Sequence, residues 1–274
     1  MGAARRWPKV ATMIRIETRG AFVHATLDAP ATRNALTDAM VAGLVDACRL
    51  AESTAAVRAL VIRGAGSTFC AGGDFSGFRS AMAAAAPTDG VDPIATSNRR
   101  FGAMLEQLRA LTVATIAVVE GAAMGGGCGL AACCDVVLAA SDAKFAMPEV
   151  TLGLPPAQIA PFVAARIGER AALQLMLTGR RIDAMQALAC GLVDEVLAAD
   201  SLDARLNELF IELGRAEPNA LRATKAILQS QRTASMADTL DFASLAFATS
   251  LRSGTASEGL SAFAAKRPAN WVAP

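Results

Sequence analysis

Residues 114–140 have the sequence ATIAVVEGAAMGGGCGLAACCDVVLAA, and this stretch decides the fold class. Ala114–Val119 is a short apolar run of strand length, and Asp135–Ala140 is a second one. Between them, Gly121–Gly129 is rich in glycine and indicates a tight turn that leads into a helix. Strand, helix and strand in this order predict an α/β core whose strands are covered on both sides.

The residues before this stretch continue the alternation of strands and helices. Gly20 separates two alternating runs, which predicts a hairpin, and Thr37 is placed to cap the helix that follows. The predicted elements are strands Met13–Arg19 and Ala21–Leu27, helix Asp38–Glu52, strand Val57–Arg63, and a helix from Asp92-Pro93 to about Leu111. Ala81–Pro93, rich in alanine, proline and aspartate, is predicted to be a mobile or variable loop.

From Ile159 onward the pattern is mostly helical. The predicted helices are Ile159–Ile167, Glu169–Leu177, Asp183–Cys190, Ser201–Leu213, Pro218–Gln229, Ser235–Leu251 and Ala256–Ala265, interrupted by one strand, Leu192–Leu197. The composition shifts near residue 200. We therefore divide the chain into an N-terminal extension (1–12), a core (13–200) and a helical C-terminal region (201–274).

The composition argues against several classes of protein. The formal net charge is +1, and no block of lysine and arginine with interleaved aromatic residues is present, so nucleic acid is not an expected partner. No apolar run reaches the roughly 18–20 residues of a membrane span. Residues 1–12 lack the apolar segment of a secretory signal. We expect a cytoplasmic protein with no membrane partner.

The cysteines and the single histidine limit the possible chemistry. None of the six cysteines forms a CxxC pair, and most lie in apolar runs, which is typical of free buried thiols in a reducing compartment. The histidine, His24, falls in a run with strand alternation, so catalysis by a Ser-His-Asp or Cys-His system is disfavoured. No metal site is expected. Chemistry has to come from carboxylates and backbone groups.

Two glycine-rich segments could present backbone amides to a ligand. They are Phe69–Asp74, after the Val57–Arg63 strand, and Gly121–Gly129. Glycine allows positive φ and close approach of a ligand, and unpaired N–H groups at a helix start favour negative charge. Tight packing of a helix on a strand would explain the same glycines without any ligand. The spacing fits neither a dinucleotide fingerprint nor a phosphate-binding P-loop.

Glu149 is the candidate carboxylate. It follows Pro148 in an apolar segment, a setting that can raise the pKa of a carboxyl group toward the range that suits proton transfer. The alternative is a loop glutamate paired with an arginine. Asp135 and Glu120 flank the glycine-rich helix and are expected to hold the backbone rather than to react.

Several segments, in the same order along the chain, resemble the enoyl-CoA hydratase/isomerase (crotonase) superfamily. Phe69–Asp74 and Ala117–Asp135 resemble its two oxyanion-hole motifs. Further similar segments are Arg33-Asn34-Ala35-Leu36, Thr178-Gly179 to Ala187, Gly191-Leu192-Val193, and Glu258-Gly259 to Lys266-Arg267. The resemblance covers about residues 13–271. It implies an α/β fold, a spiral of ββα turns followed by a C-terminal helical trimerisation region, in a homotrimer or a dimer of trimers.

The resemblance also implies roles for individual residues. The oxyanion amides would be those of Gly73 and Gly126, and Glu149 would be the catalytic acid and base. The residues implied to line the coenzyme A thioester are Arg33, Ala35, Ala71, Gly72, Asp74, Gly125 and Gly129, with Phe263 and Lys266 reaching the nucleotide across a subunit boundary. Coenzyme A would be part of the substrate, with no separate cofactor.

One position departs from the family pattern. Hydratases of the family use two glutamates, and the second position is Gly129 here. One carboxylate still permits hydration of a 2-enoyl-CoA or isomerisation of its double bond, and a non-catalytic acyl-CoA binder is the third reading.

The segment 148–161, PEVTLGLPPAQIAP, resembles the branch that hydrates glutaconyl-type CoA thioesters. A substrate of that type carries a second carboxylate, which needs a cationic partner. The candidates are Arg79, Arg99, Arg100 and Arg166.

Overall fold

The computed structural model describes residues 13–83, 90 and 92–272. The N-terminal extension predicted for residues 1–12 lies outside them. The strands are β1 (Ile14–Arg19), β2 (Phe22–Leu27), β3 (Ala59–Gly64), β4 (Ala114–Val119), β5 (Ala122–Met124), β6 (Val136–Ala140), β7 (Lys144–Ala146), β8 (Ile182–Asp183) and β9 (Glu195–Leu197). The helices are α1 (Asp38–Ser53), α2 (Phe75–Ala83), α3 (Pro93–Ala110), α4 (Gly126–Ala132), α5 (Ala160–Ile167), α6 (Glu169–Thr178), α7 (Ala184–Ala189), α8 (Leu202–Arg215), α9 (Pro218–Ser230), α10 (Met236–Arg252) and α11 (Thr255–Ala264).

The larger sheet forms the centre of the fold. Its strand order is β1-β2-β3-β4-β6-β9, with β1 antiparallel to β2 and the other pairs parallel. Strands β3 and β4 are buried along almost their whole length. A strand buried on both faces has to be covered on both sides, so the predicted α/β core is confirmed.

A smaller sheet, with the order β5-β7-β8, lies beside the first. The chain passes from β4 directly to β5 and then to α4, and from β6 to β7 before the next helices. Each passage adds one strand to each sheet and then a helix. This repeat is the spiral of ββα turns that was expected.

The short strands of this second sheet and helix α2 were not predicted from the sequence. Strands β5, β7 and β8 were not predicted, and β9 covers only the end of the predicted strand Leu192–Leu197. The predicted loop Ala81–Pro93 is wrong at its start, because α2 continues to Ala83. Residues 84–89 and 91 of that prediction lie outside the described part of the chain.

The C-terminal helices follow as predicted from the composition shift. Helix α8 places Leu202, Leu206 and Leu209 in the same apolar core as the sheet. Helix α9 is held against the ends of the strands by charged side chains, because Lys225 donates to the Asp135 carboxylate (2.6 Å) and to the Val113 carbonyl (2.7 Å). Among the described residues, no helix is long and apolar enough to cross a lipid bilayer.

Candidate active site at the start of helix α4

The two glycine-rich segments run side by side. The N–H of Cys70 donates to the carbonyl of Ala122 (3.0 Å), and the N–H of Met124 donates back to the carbonyl of Cys70 (2.9 Å). Residue 70 thereby forms a parallel bridge with Ala123 of β5. The end of the first segment is consequently placed next to the turn that opens helix α4.

Gly72 allows a close approach between the two segments. It has φ +95°, and a Cβ atom there would lie 2.8 Å from the Met124 carbonyl oxygen and 3.7 Å from the Gly126 nitrogen. A larger residue would be strained by the backbone conformation and would collide with the neighbouring turn. Glycine at this position therefore brings the chain beside Gly73 up to Gly126.

The N–H groups of Gly73 and Gly126 have no acceptor within the described residues. Leu36 forms a parallel bridge with Gly73, in which the N–H of Leu36 donates to the carbonyl of Gly72 (2.8 Å), leaving the Gly73 N–H unused. Gly126 is the first residue of α4, where a helix supplies no acceptor of its own. Two unpaired N–H donors, one on each glycine-rich segment, therefore lie where the two segments come together.

Glu149 reaches the same place from the other sheet. It begins a 3-10 turn (Glu149–Leu152) that follows β7 and Pro148. Its Oε1 atom lies 2.7 Å from where a Cβ atom of Gly125 would be, and Gly125 has φ +49°. The positive φ favours glycine at this position, and the carboxylate lies beside this residue, which precedes the Gly126 amide.

Within the described part of the chain, no cationic side chain pairs with the carboxylate of Glu149. Its Oε2 atom is buried and has no hydrogen-bond partner among the described residues. Burial raises the pKa of Glu149, and a backbone hydrogen bond within the same residue opposes part of that rise. Among the residues that the structure describes, no arginine pairs with Glu149, which disfavours the alternative of a loop glutamate in an ion pair. The group has the environment of a carboxyl that can exchange a proton.

The side chain of Ile159 occupies the space beside Gly129. It lies one helical turn after Gly125, and a Cβ atom there would collide with the Ile159 side chain, 2.7 Å from its Cβ atom. Gly129 and Ile159 are both buried. Gly129 thus packs against a hydrocarbon side chain and does not face an open space. The prediction that Gly129 lines the substrate did not include this contact, and it stays a prediction.

Apolar side chains that the sequence reading did not single out surround the two amides. A Cβ atom on Gly126 would lie 2.6 Å from Leu36 Cδ1 and 3.3 Å from the Phe101 ring, and one on Gly73 would lie 2.6 Å from the Phe78 ring. Phe78 and Phe101 belong to α2 and α3 and carry no local signal that separates them from core or surface residues. Only the packing of these helices against the glycine turns identifies them.

The predicted coenzyme A segment lies next to the first glycine segment. The N–H of Ala71 donates to the carbonyl of Arg33 (2.9 Å) and the N–H of Leu36 donates to the carbonyl of Gly72 (2.8 Å), so residues 33–36 run beside Ala71 and Gly72. The contacts of Arg33, Ala35 and Ala71 with coenzyme A stay a prediction. The carboxylate of Asp74 is used locally, because it accepts hydrogen bonds from the N–H and hydroxyl of Ser76. These bonds, the hydroxyl first, lower the pKa of Asp74. Its predicted contact with substrate stays a prediction.

The two predicted nucleotide contacts are on the C-terminal tail. Phe263, in α11, is 85% exposed, and Lys266 follows that helix with φ +53°. A phenyl ring with so little cover makes few contacts within its own chain. Their placement across a subunit boundary stays a prediction.

The four candidate arginines differ in availability. Arg166 donates to the carbonyls of Leu192 and Cys134 and pairs with Asp194 (2.6 Å), so it is committed to structure. Arg99 pairs with Glu106 (2.8 Å). Arg79 and Arg100 form no ion pair within the described residues, and they remain available to bind an anion.

The other polar residues considered from the sequence lie outside this site. Asp135 accepts from the N–H and hydroxyl of Thr115 (2.8 and 2.9 Å), which confirms that it holds the backbone. Glu120 instead pairs with Arg63 (3.1 Å). His24 is on strand β2, and its ring lies nearly perpendicular to the ring of Phe210, with the centroids 5.6 Å apart.

Replacing Glu149 with glutamine is expected to stabilise the fold at neutral and alkaline pH. Because its pKa is raised on folding, the favourable contribution of Glu149 is complete below about pH 4 and is lost as the pH rises through the raised value. Glutamine is neutral throughout. The Tm of E149Q should exceed that of the unmodified protein at pH 8, and the difference should shrink toward pH 4. A difference in Tm that does not vary with pH would contradict the assigned pKa shift.

Comparison with known proteins places these residues in context. The family model for enoyl-CoA hydratase/isomerase matches residues 17–274. The chain is 35% identical to 2,3-dehydroadipyl-CoA hydratase of Escherichia coli over 247 residues, 88% of this chain and 91% of that protein. An enoyl-CoA hydratase/isomerase from Marinobacter aquaeolei has 40% identity and a TM-score of 0.91, covering 95% of this chain and 99% of its own. AtuE of Pseudomonas aeruginosa has 42% identity and a TM-score of 0.90, covering 95% and 100%.

Proposed function

Because this chain belongs to the enoyl-CoA hydratase/isomerase (crotonase) family of enzymes, we propose that it adds water to a 2-enoyl-CoA thioester through an enolate. The observation that carries the proposal is the half-buried Glu149 carboxyl, whose buried Oε2 atom has no partner among the described residues, beside the unpaired amide of Gly126. Gly73 supplies the second unpaired amide on the adjacent segment.

In the proposed mechanism the thioester oxygen accepts hydrogen bonds from the Gly73 and Gly126 N–H groups. Glu149 takes a proton from water as the water oxygen bonds to carbon 3, and the electrons of the double bond move to the thioester oxygen. Glu149 then returns the proton to carbon 2, which completes the addition of one water. Each preorganised donor contributes about 2.7–4 kcal/mol to stabilisation of such an oxyanion.

Apolar side chains near the two glycines strengthen the hydrogen bonds from the Gly73 and Gly126 N–H groups to the thioester oxygen. Leu36 and Phe101 lie against Gly126, and the Phe78 ring lies against Gly73. Hydrocarbon side chains around the donors limit access of water, so the hydrogen bonds to a developing negative charge act in a medium of low dielectric constant. Burial of Glu149 raises its pKa, so its carboxylate is a better proton acceptor than one in water.

Double-bond isomerisation is the second candidate function. The packing of Ile159 against Gly129 supports it, because isomerisation needs only one carboxylate. Since Ile159 fills the space at Gly129, no second carboxylate can extend from that position. A single base is sufficient for isomerisation, because Glu149 could remove a proton from carbon 2 of a 3-enoyl-CoA and return it to carbon 4. Both reactions pass through an enolate held by the same amides.

We further propose a branched or glutaconyl-type acyl group as substrate. The similarity to a protein named 2,3-dehydroadipyl-CoA hydratase supports a thioester that carries a second, free carboxylate. Arg79 and Arg100, which make no ion pair within the described residues, are the cations that could bind it. Arg166 is removed from the candidates by its structural hydrogen bonds.

A panel of CoA thioesters tests the proposal. Crotonyl-CoA, a 3-enoyl-CoA and glutaconyl-type thioesters are each incubated with the protein, and the products are followed by enoyl absorbance and by mass. We expect a gain of one water in 2-enoyl substrates. Conjugation of the 3-enoyl substrate without a mass change would support the isomerase. Tight binding with no product from any thioester would contradict both reactions and favour a non-catalytic binder.

The pairing of Gly129 with Ile159 makes its own prediction. Introducing glutamate at 129 should destabilise the protein by about 1–3 kcal/mol, because the new Cβ atom collides with Ile159. Truncating Ile159 in the same protein relieves the collision. In urea unfolding, G129E/I159A should therefore be less destabilised than the sum of G129E and I159A. Additive losses would show that the two positions are not matched.

We also propose a homotrimer, or a dimer of trimers, in a reducing cytoplasm. Helix α10 exposes Leu240, Leu245 and Phe247, apolar side chains that an isolated subunit would leave in water. The cysteines of the described residues are unpaired and mostly buried, which supports a reducing compartment. Sedimentation of the purified protein measures the assembly, and a monomer at micromolar concentration would contradict it.

A further inference from the structure

Asn34 is a fully buried polar residue just before the site. It has 0% exposure, and it has the left-handed backbone conformation (φ +57°), as does Arg33 (φ +52°). Asparagine tolerates this conformation better than most residues other than glycine. Burial of a carboxamide is unfavourable unless its donors and acceptor are all used, so its partners show what it holds.

The carboxamide of Asn34 joins two separate loops. Its Oδ1 atom accepts from the N–H of Ala29 (2.9 Å). Its Nδ2 atom donates to the carbonyls of Thr68 (2.7 Å) and Ala65 (3.0 Å), with Phe69 at 3.3 Å. Among the described residues, no other side chain hydrogen-bonds to the carbonyls of 65–69. Asn34 therefore fixes the loop through which the chain leaves β3.

That loop leads directly into the segment that ends at Gly73. Residues next to Asn34 hold the same segment through backbone hydrogen bonds. The N–H of Ala71 donates to the carbonyl of Arg33 (2.9 Å), and the N–H of Leu36 donates to the carbonyl of Gly72 (2.8 Å). One short stretch of chain, residues 33–36, consequently supports the segment from Ala65 to Gly72. The direction of the Gly73 N–H depends on this support.

We propose that Asn34 is a positioning residue for the Gly73 amide. This proposal rests on the proposed function, in which the Gly73 amide binds the thioester oxygen. Asn34 does not touch the substrate; its donated hydrogen bonds hold the carbonyls of residues 65–69 so that the Gly73 N–H keeps its direction. An oxyanion donor works only when it is held close to its productive position.

The test compares N34A with T115V. Thr115 is also fully buried and hydrogen-bonded, but it lies at the start of β4, whereas the glycine turn follows the end of that strand. The readouts are kcat, KM and the red shift in absorbance of a bound aryl-conjugated enoyl-CoA, which reports polarisation of the thioester carbonyl. N34A should lose about 10²-fold in kcat, with a smaller change in KM and a reduced red shift. T115V should lose stability only.

N34D provides a second variant in case N34A does not fold. An ionised aspartate can accept from Ala29 but cannot donate to Thr68 and Ala65, whereas a protonated one donates one hydrogen bond. The red shift in N34D should therefore return as the pH is lowered, which neither the unmodified protein nor T115V should show. A full red shift and unchanged kcat in N34A, or equal losses in T115V, would overturn the proposal.

Hydrogen exchange in the free protein separates this inference from the proposed function. Amides of residues 65–73 should exchange faster in N34A than in the unmodified protein, and those of T115V should not. If the unmodified protein gives no red shift or turnover, the oxyanion assignment fails and the positioning role fails with it. If turnover is present and exchange of 65–73 is unchanged in N34A, only the role of Asn34 is wrong.

Discussion

Glutamine in place of Glu149 is expected to lower kcat for hydration by about 10²–10⁴-fold while acyl-CoA binding is largely retained. The substitution keeps the shape of the side chain beside Gly125 and removes its ability to take and return a proton. Since residue 129 is glycine, no carboxylate from that position can replace it. Turnover and thioester affinity are measured on the same preparation, by enoyl absorbance and by calorimetry.

Glu120→Gln is the matched control for this prediction. Glu120 is also a partly buried glutamate near the glycine-rich helix, but its carboxylate pairs with Arg63. E120Q should keep kcat, with at most a small loss of stability. Full hydratase activity in E149Q would remove Glu149 from its role, and a loss of thioester binding in E149Q as large as the loss of kcat would assign it to binding instead.

Replacing Gly126 with proline is expected to lower kcat by about 10²–10³-fold, with a much smaller effect on affinity for the CoA ester. Proline removes the N–H that is proposed to bind the thioester oxygen. Gly126 is the first residue of α4, where proline is tolerated because no intrahelical hydrogen bond is lost. Circular dichroism and Tm establish that the fold is retained before kcat is compared.

Gly126→Ala separates the missing donor from the added bulk. Alanine keeps the N–H but places a methyl group 2.6 Å from Leu36 Cδ1, so it reproduces part of the crowding that proline causes. We expect G126A to retain more than ten times the kcat of G126P, an order-of-magnitude separation that follows from the value of one donor. Equal losses in the two variants would mean that crowding, and not the amide, is responsible.

Features governed by neighbouring residues could be predicted from the sequence. Thr37 caps α1 by accepting from the N–H of Met40 (3.2 Å), and Asp92 caps α3 by accepting from that of Ile94 (2.7 Å). Both caps act within a few residues of the chain, so the residue types alone identify them. The apolar runs of β3 and β4 were identifiable for a similar reason, since a strand buried on both faces is continuously apolar.

The short strands of the second sheet could not be predicted in this way. Strands β5 and β7 have three residues each, and they exist because they pair with each other, β5 also with the segment at Cys70 and β7 also with β8. Strand pairing between distant segments leaves little trace in a run of three residues. The loop prediction failed at Ala81–Ala83 for a different reason. That helix starts at Phe75, directly after the segment Phe69–Asp74, which was interpreted only for its glycines, and no helix was predicted there.

For the site, the sequence by itself determined the available chemical groups. It supplies one histidine, glycines at the amide positions, and a glutamate in an apolar segment with no second glutamate at 129. Only the tertiary structure decided that Glu149 lies beside Gly125 with no cationic partner in the described part of the chain. It also decided that Ile159 fills the space at Gly129 and that Arg166 is bound to Asp194 and to two carbonyls. The physical reason is that burial and pairing depend on residues far apart in the chain, which meet only when the two sheets pack.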